Sequence, residues 1–244
     1  PPGAGVAAAP KPSSSSSSAA GTPTGTDIRA HFTDYSRHPA VGEAINAIAA
    51  VHGDGGLSSG FDMLLSTPRG NNGVYFSARG EIHLSTRKHH TPALTVIHEI
   101  GHALDDRGPW GGRRLTGGVV GAGKSGLSPT WNPDYLAVQK AIESTNAVRD
   151  LRKIANGTGD TTKLLGNRGG GHDVTFVKYL LQPNELWARA YTQYIASKQP
   201  DRKLLGKMKD RDLGNRYKQQ WNEDDFKPIE AAIDQVIRGA GWRK

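Results

Sequence analysis

Residues 91–106 read TPALTVIHEIGHALDD, and the fold turns on how they are built. Thr91 suits an N-cap, Pro92 suits the first helical position, and apolar residues fill most of the other positions. An apolar surround of this kind predicts a buried helix. Within it, His98 and His102 stand four residues apart, so both imidazoles lie on one face about one turn apart. Two histidines so placed can donate to a single metal ion. Glu99, about 100 degrees around the helix from His98, sits beside that ion without competing as a ligand. The chain contains no cysteine, so the donors must be nitrogen and oxygen, and zinc is the expected ion. Zinc acidifies a bound water and Glu99 can accept its proton as general base, which makes amide hydrolysis the natural reaction. The bland alternative is a chance HExxH on a surface helix. The apolar setting argues against it, since burying two histidines and a glutamate without an ion is costly. Gly101, inside the motif, invites close approach of a neighbouring element.

Working outward, three β-prone runs precede the helix: FDMLLS (61–66), GVYFSA (73–78) and EIHLST (81–86). PRGNNG and the Arg79-Gly80 step separate them, which predicts a small sheet containing a hairpin. Apolar spacing predicts helices over 36–53, 132–157 and 182–198, then a basic helix over 201–212 and a last one over 222–239 with acids in its first turn. Residues 107–130, rich in Gly, Arg and Ser, are expected to form a long mobile loop over the cleft. The predicted fold is therefore α+β, with a small mixed sheet packed on the HExxH helix and on a downstream Glu-bearing helix. One domain is expected over 27–244, with its core at about 60–200 and a C-terminal helical extension at 201–244.

Catalytic zinc usually has three protein ligands and an open position. Glu185, one turn into the 182–198 helix, is the candidate for the third; its plain reading is a carboxylate complementing a helix N-terminus. His172 is an alternative third ligand. Asp105 or Asp106 could fix the tautomer of a ligand imidazole by accepting its free N–H. His83, His89 and His90 read either as contacts at the substrate edge or as ordinary polar positions.

HEIGHALDD (98–106) followed by NELWARAY (184–191) resembles, in type and order, the catalytic domain of anthrax lethal factor, a gluzincin metallopeptidase. The resemblance spans roughly residues 70–200 and implies a zincin-like fold with Glu185 as the third zinc ligand. In such sites a tyrosine shortly before that glutamate faces the metal and assists at the substrate carbonyl. Tyr179 is its counterpart here, one residue closer than the family pattern, with Tyr191 and Tyr194 as fallbacks. Peptidases of this type hold an extended substrate antiparallel to an edge strand, and EIHLST is the expected strand. Similar acidic-aromatic-Ala-Arg helices follow HExxH helices in phage-associated polyvalent proteins and polymorphic toxins.

Composition bounds the remaining possibilities. In the 244 residues, the first 26 carry one charge, Lys11, and a run of serines, and read as a disordered Pro/Ser/Ala-rich linker. A linker at Pro1 leads to the expectation of a further domain upstream. No segment has the roughly 20 apolar residues of a membrane span, nor is there a signal-peptide pattern, so a soluble domain is expected. The net charge is +8, and residues 107–172 hold ten Lys and Arg against four Asp and Glu. That surplus favours acidic partners. Nucleic acid is not expected, because Cys/His finger spacing and interleaved aromatics are both missing. GVVGAGKS (118–125) satisfies a phosphate-loop pattern but lacks the strand before it and the helix after it. The leading expectation is a zinc endopeptidase acting on a protein or peptide substrate. The alternatives are a zinc-binding structural or interaction module with latent or no activity, and a basic nucleic-acid-binding module.

Overall fold

The computed structural model describes residues 39–52, 62–65, 72–85, 92–108, 114–117, 133–158, 171–213 and 219–240. The linker-like 1–26, GVVGAGKS, His89, His90 and the side chain of His172 lie outside the described residues, as does most of the expected 107–130 loop.

The element order is α1 (Pro39–His52), β1 (Asp62–Leu65), β2 (Gly73–Phe76), β3 (Glu81–Leu84), α2 (Pro92–Arg107), α3 (Pro133–Glu143), α4 (Asn146–Ala155), α5 (Gly171–Leu180), α6 (Pro183–Ser197), α7 (Lys203–Leu213) and α8 (Glu223–Gly239). The fold is α+β, mostly helical with one small sheet. In α1 the spacing of Val41, Ala44, Ile45 and Ile48 makes a buried stripe, and α1 packs on α2. No residue of α6 from Glu185 to Ala196 escapes burial. This helix packs most extensively on α2.

The closeness of that crossing is written in two small residues. A Cβ added to Gly101 would lie 3.0 Å from the Ala188 Cα and 3.4 Å from its Cβ, so only glycine lets the two backbones approach this far. The Trp187 indole N–H donates to the Gly101 carbonyl at 2.9 Å, satisfying a polar group that is otherwise sealed in the core. The helices after residue 200 are no mere extension of this core. Leu204, Leu205 and Met208 of α7 and Phe226, Ile229 and Ile233 of α8 are buried in the same cluster as Ile97 and Ile100.

The stretch 132–157 differs from the expected single helix. It breaks at Ser144-Thr145, where Ser144 Oγ donates to Ala141 O (2.8 Å) and Thr145 Oγ1 to Ile142 O (2.7 Å). Thr145 then caps α4 by accepting from Val148 N. Hydroxyls that capture backbone groups compete with helix continuation, and two in succession end it here. Most of VTFVKYLL, with the three residues before it, forms α5, whose Val177 packs with Leu151 and Ile154 of α4 in a separate small cluster.

The sheet has the order β1-β3-β2, with β1 parallel and β2 antiparallel to β3. Hence β3, which carries EIHL, is the middle strand rather than the expected edge, and β2 is an edge among the described residues. Ser85 N–H bonds Asn72 O (2.9 Å) and Gly80 N–H bonds Phe76 O (2.8 Å) across the hairpin. With Val74 opposite His83 in the register, Asn72, Val74 and Phe76 aim their backbone groups at β3. By the antiparallel alternation, Gly73 and Tyr75 aim theirs outward.

Candidate metal centre

Three donors converge between α2 and α6. His98 Nε2 and His102 Nε2 lie 3.2 Å apart. Glu185 Oε2 is 3.4 Å from His98 Nε2, and Glu185 Oε1 is 3.1 Å from His102 Nε2. A tetrahedral zinc with bonds of about 2.1 Å holds its donors about 3.4 Å apart. The observed separations match that edge length, and all the donor atoms fall within 4.8 Å of one another. This buried His-His-Glu group can hold a metal ion.

The elements explain the convergence. The helical repeat stacks His98 over His102, and the Gly101–Ala188 contact sets the helix separation. Pro183 opens α6, which places Glu185 in its first turn, pointing back at the histidines. Burial works against the Glu185 carboxylate, but its hydrogen bonds to His102 and His98 and their charges outweigh burial and hold it well below the usual range. Burial also opposes the charged form of His102, yet the hydrogen bond and charge of Glu185, with Glu99 and Asp105 behind them, raise it. Protons thus gather where a cation would bind, and the two compete for the same atoms.

Glu99 is 6% exposed and sits between the cluster and β2. Burial raises its carboxyl above the ordinary value; the His98 and His102 charges and a hydrogen bond from the Tyr75 backbone N–H pull the other way. A Cβ on Gly73 would lie 2.8 Å from Thr95 Cγ2 and 2.9 Å from Glu99 Cγ, so the strand edge reaches Glu99 only because residue 73 is glycine. A carboxyl raised by burial beside a cation site is a stronger proton acceptor than an ordinary carboxylate.

Tyr179 stands at the rim, 42% exposed, and its hydroxyl donates to Glu185 Oε1 at 2.5 Å. Burial of the ring's inner part and the Glu185 charge push the phenol up, so it stays protonated and remains a donor. The fallback tyrosines are elsewhere: Tyr191 bonds His52 Nε2 at 2.9 Å and Tyr194 bonds Asp234 at 2.6 Å, both rings fully buried. His83 bonds Glu81 at 3.0 Å and meets Phe76 edge-on, in the sheet.

The two aspartates after His102 act on the chain beyond α2. Asp105 accepts from Thr116 N (2.7 Å) and from Thr116 Oγ1 (2.9 Å), while its carbonyl accepts from Leu115 N (2.9 Å). Asp106 accepts from the Tyr75 hydroxyl (2.8 Å) and Arg114 Nε (2.9 Å). Within the stretch expected as a mobile loop, Arg114–Gly117 is therefore folded back on α2, with Leu115 fully buried. Arg114 and Tyr75 are site residues that sequence reading missed; only the fold brings them to Asp106. The centre opens on a cleft of about 800 Å³, lined by β2, α2, the ends of α5 and α6, and Gln219. Among the described residues, no helix is long and apolar enough to cross a membrane. No protein-family model, curated protein or solved structure matches this chain.

Proposed function

We propose that the chain is a zinc-dependent endopeptidase of the gluzincin type, built on a zincin-like fold. The observation that carries this reading is the convergence of His98, His102 and Glu185 at tetrahedral spacing, with the buried carboxylate of Glu99 alongside and an open cleft beside both. His98 Nε2, His102 Nε2 and a Glu185 oxygen would hold the zinc. When bound, zinc supplies Lewis acidity toward a peptide carbonyl and toward the attacking water. Glu99 takes a proton from that water as it attacks and returns it to the departing amine nitrogen. The Tyr179 hydroxyl turns from Glu185 to donate to the carbonyl oxygen as negative charge develops there. A substrate strand pairs antiparallel with the outward edge of β2, through Gly73 and the Tyr75 carbonyl, on the strand that takes the place expected of EIHLST.

An intact base favours an enzyme over a structural zinc module, because a structural site has no use for one and closes its fourth position. The test combines elemental analysis with cleavage of a broad peptide library. Wild type is expected to carry one zinc and to cleave in a chelator-sensitive way, Glu99→Gln to keep zinc without turnover, and Glu185→Ala to lose zinc. Wild type without zinc overturns the reading; zinc without hydrolysis of any peptide returns it to a binding module.

A further inference from the structure

Arg114 gives one end of the cleft a cationic reader. Its Nε donates to Asp106 Oδ1 at 2.9 Å while Tyr75 holds Oδ2, so the guanidinium is fixed along one edge. No other side-chain hydrogen bond of Arg114 is present among the described residues, and the side chain lines the cleft. The remaining Nη edge is thus a preoriented fork for a carboxylate. Arg107 Nε also lies 3.6 Å from Asp106, so two guanidiniums share this carboxylate. Asp105, the other carboxylate nearby, is committed to Thr116.

The sheet tells which side of the scissile bond this fork reads. Gly73 adjoins Thr95 and Glu99, the Tyr75 N–H reaches Glu99, the Tyr75 hydroxyl reaches Asp106, and Ser77 O accepts from Arg107. Ascending residues of β2 meet ascending residues of α2, so the two run in the same direction. A peptide antiparallel to β2 then runs against α2 and lays its N-terminal part toward Asp106 and Arg114. From His102 to Asp106 the helix rises about 6 Å. An extended chain covers about 3.4 Å per residue, so Arg114 meets a side chain about two residues before the cleaved bond.

We propose that Arg114 selects a substrate with an aspartate or glutamate about two residues upstream of the scissile bond. This rests on the peptidase reading above. The full chain, zinc-loaded, is given a peptide library in which each upstream position is varied among Asp, Glu, Asn, Gln and Lys. Peptide affinity is also measured by fluorescence anisotropy on the Glu99→Gln protein, with matched Asp and Asn peptides. An acidic preference of about tenfold is expected in both assays, a value typical of one charge-assisted pair. Arg114→Gln should abolish the preference, Arg114→Lys should retain part of it, and Arg114→Glu should turn it toward Lys. The Leu115 and Thr116 bonds to Asp105 remain in all three variants, and equal melting temperatures check that the segment stays in place. Cleavage with no upstream acidic preference, or a preference untouched by Arg114→Gln, overturns this inference and leaves the peptidase reading standing. A zinc-loaded wild type that cleaves nothing overturns the peptidase reading, and this inference falls with it.

Discussion

Gly101→Ala tests whether the α2–α6 crossing makes the metal centre. The added methyl would sit 3.0 Å from Ala188 Cα, a backbone atom that no rotamer change can move aside. Carbon atoms pack comfortably at about 3.5 Å or more, so the helices must separate by roughly half an ångström. Overpacking of this kind costs about 1–3 kcal/mol. Alanine offsets about 1 kcal/mol of that through its helix propensity. The net loss of about 0–2 kcal/mol lowers the melting temperature by up to about 8 °C for a chain of this size. The metal is hit harder than the fold. Ligand distances tolerate only about 0.2 Å, and the displacement separates Glu185 on α6 from both histidines on α2. A loss of zinc affinity of at least tenfold to a hundredfold is expected, the scale seen when ligand support is removed. Competition with a chelating dye gives the affinity, and calorimetry on the apo protein gives the melting temperature. Wild-type zinc affinity together with a raised melting temperature would refute the argument, because helix propensity alone would then be at work.

Gly73→Ala should do the reverse, keeping zinc but lowering kcat about a hundredfold, since its methyl would meet Glu99 Cγ at 2.9 Å and displace the base rather than a ligand. Unchanged kcat by single-turnover assay would show that β2 does not position Glu99. Tyr179→Phe should retain zinc and KM while kcat falls about 10²–10³-fold, the cost of one lost oxyanion donor. A fall in zinc content instead would make the Tyr179–Glu185 bond merely a ligand support. Metal-free protein should be most stable at mildly acidic pH. The raised His102 contributes stability that is complete below its ordinary 6.5 and is lost as pH rises through its higher folded value. The lowered Glu185 contributes stability present above its ordinary 4.5 and lost as pH falls toward its depressed folded value. The raised Glu99 and Asp105 carboxyls draw the optimum toward the acidic end of that window. Melting scans against pH on Glu185→Gln should lose the optimum; if it persists, the pair does not produce it.

What could be read from the sequence was whatever lies within one element or comes from an element's own chemistry. Four-residue spacing stacks His98 over His102 whatever the rest of the chain does, and Pro183 opens a helix that must hold Glu185 in its first turn. Sheet order has no such local carrier. EIHLST and GVYFSA are equally β-prone, and only pairing β1 beside β3 makes β2 the edge that meets Glu99. The break in 132–157 was present as Ser144-Thr145, but apolar periodicity continues across it, so the hydroxyls became decisive only when their carbonyl partners were seen. Arg114 was hidden for the opposite reason. A glycine- and arginine-rich composition suggests mobility, yet Leu115 and Thr116 supply an apolar anchor and three side-chain or backbone donors for Asp105, enough to fix one short piece of that stretch.

The Tyr179–Glu185 offset shows where sequence spacing stops being a measure of distance. Six residues along one continuous helix would turn about 600 degrees and put the two side chains about 120 degrees apart around the helix and about 9 Å apart along the axis. Here the chain crosses a junction instead. Leu181 N–H still bonds Val177 O and Gln182 N–H bonds Tyr179 O, closing α5, and Leu186 N–H bonds Gln182 O, opening α6. Arg189 of α6 donates to Leu180 O at 2.9 Å and clamps the turn from beneath. The relative phase of Tyr179 and Glu185 is then set by the turn and its clamp, which leave both side chains at the same centre. If so, Arg189→Lys, which loses the planar fork but keeps the charge, should lower kcat in the manner of Tyr179→Phe while leaving zinc in place. Unaltered turnover in that variant would mean that the turn holds Tyr179 without Arg189.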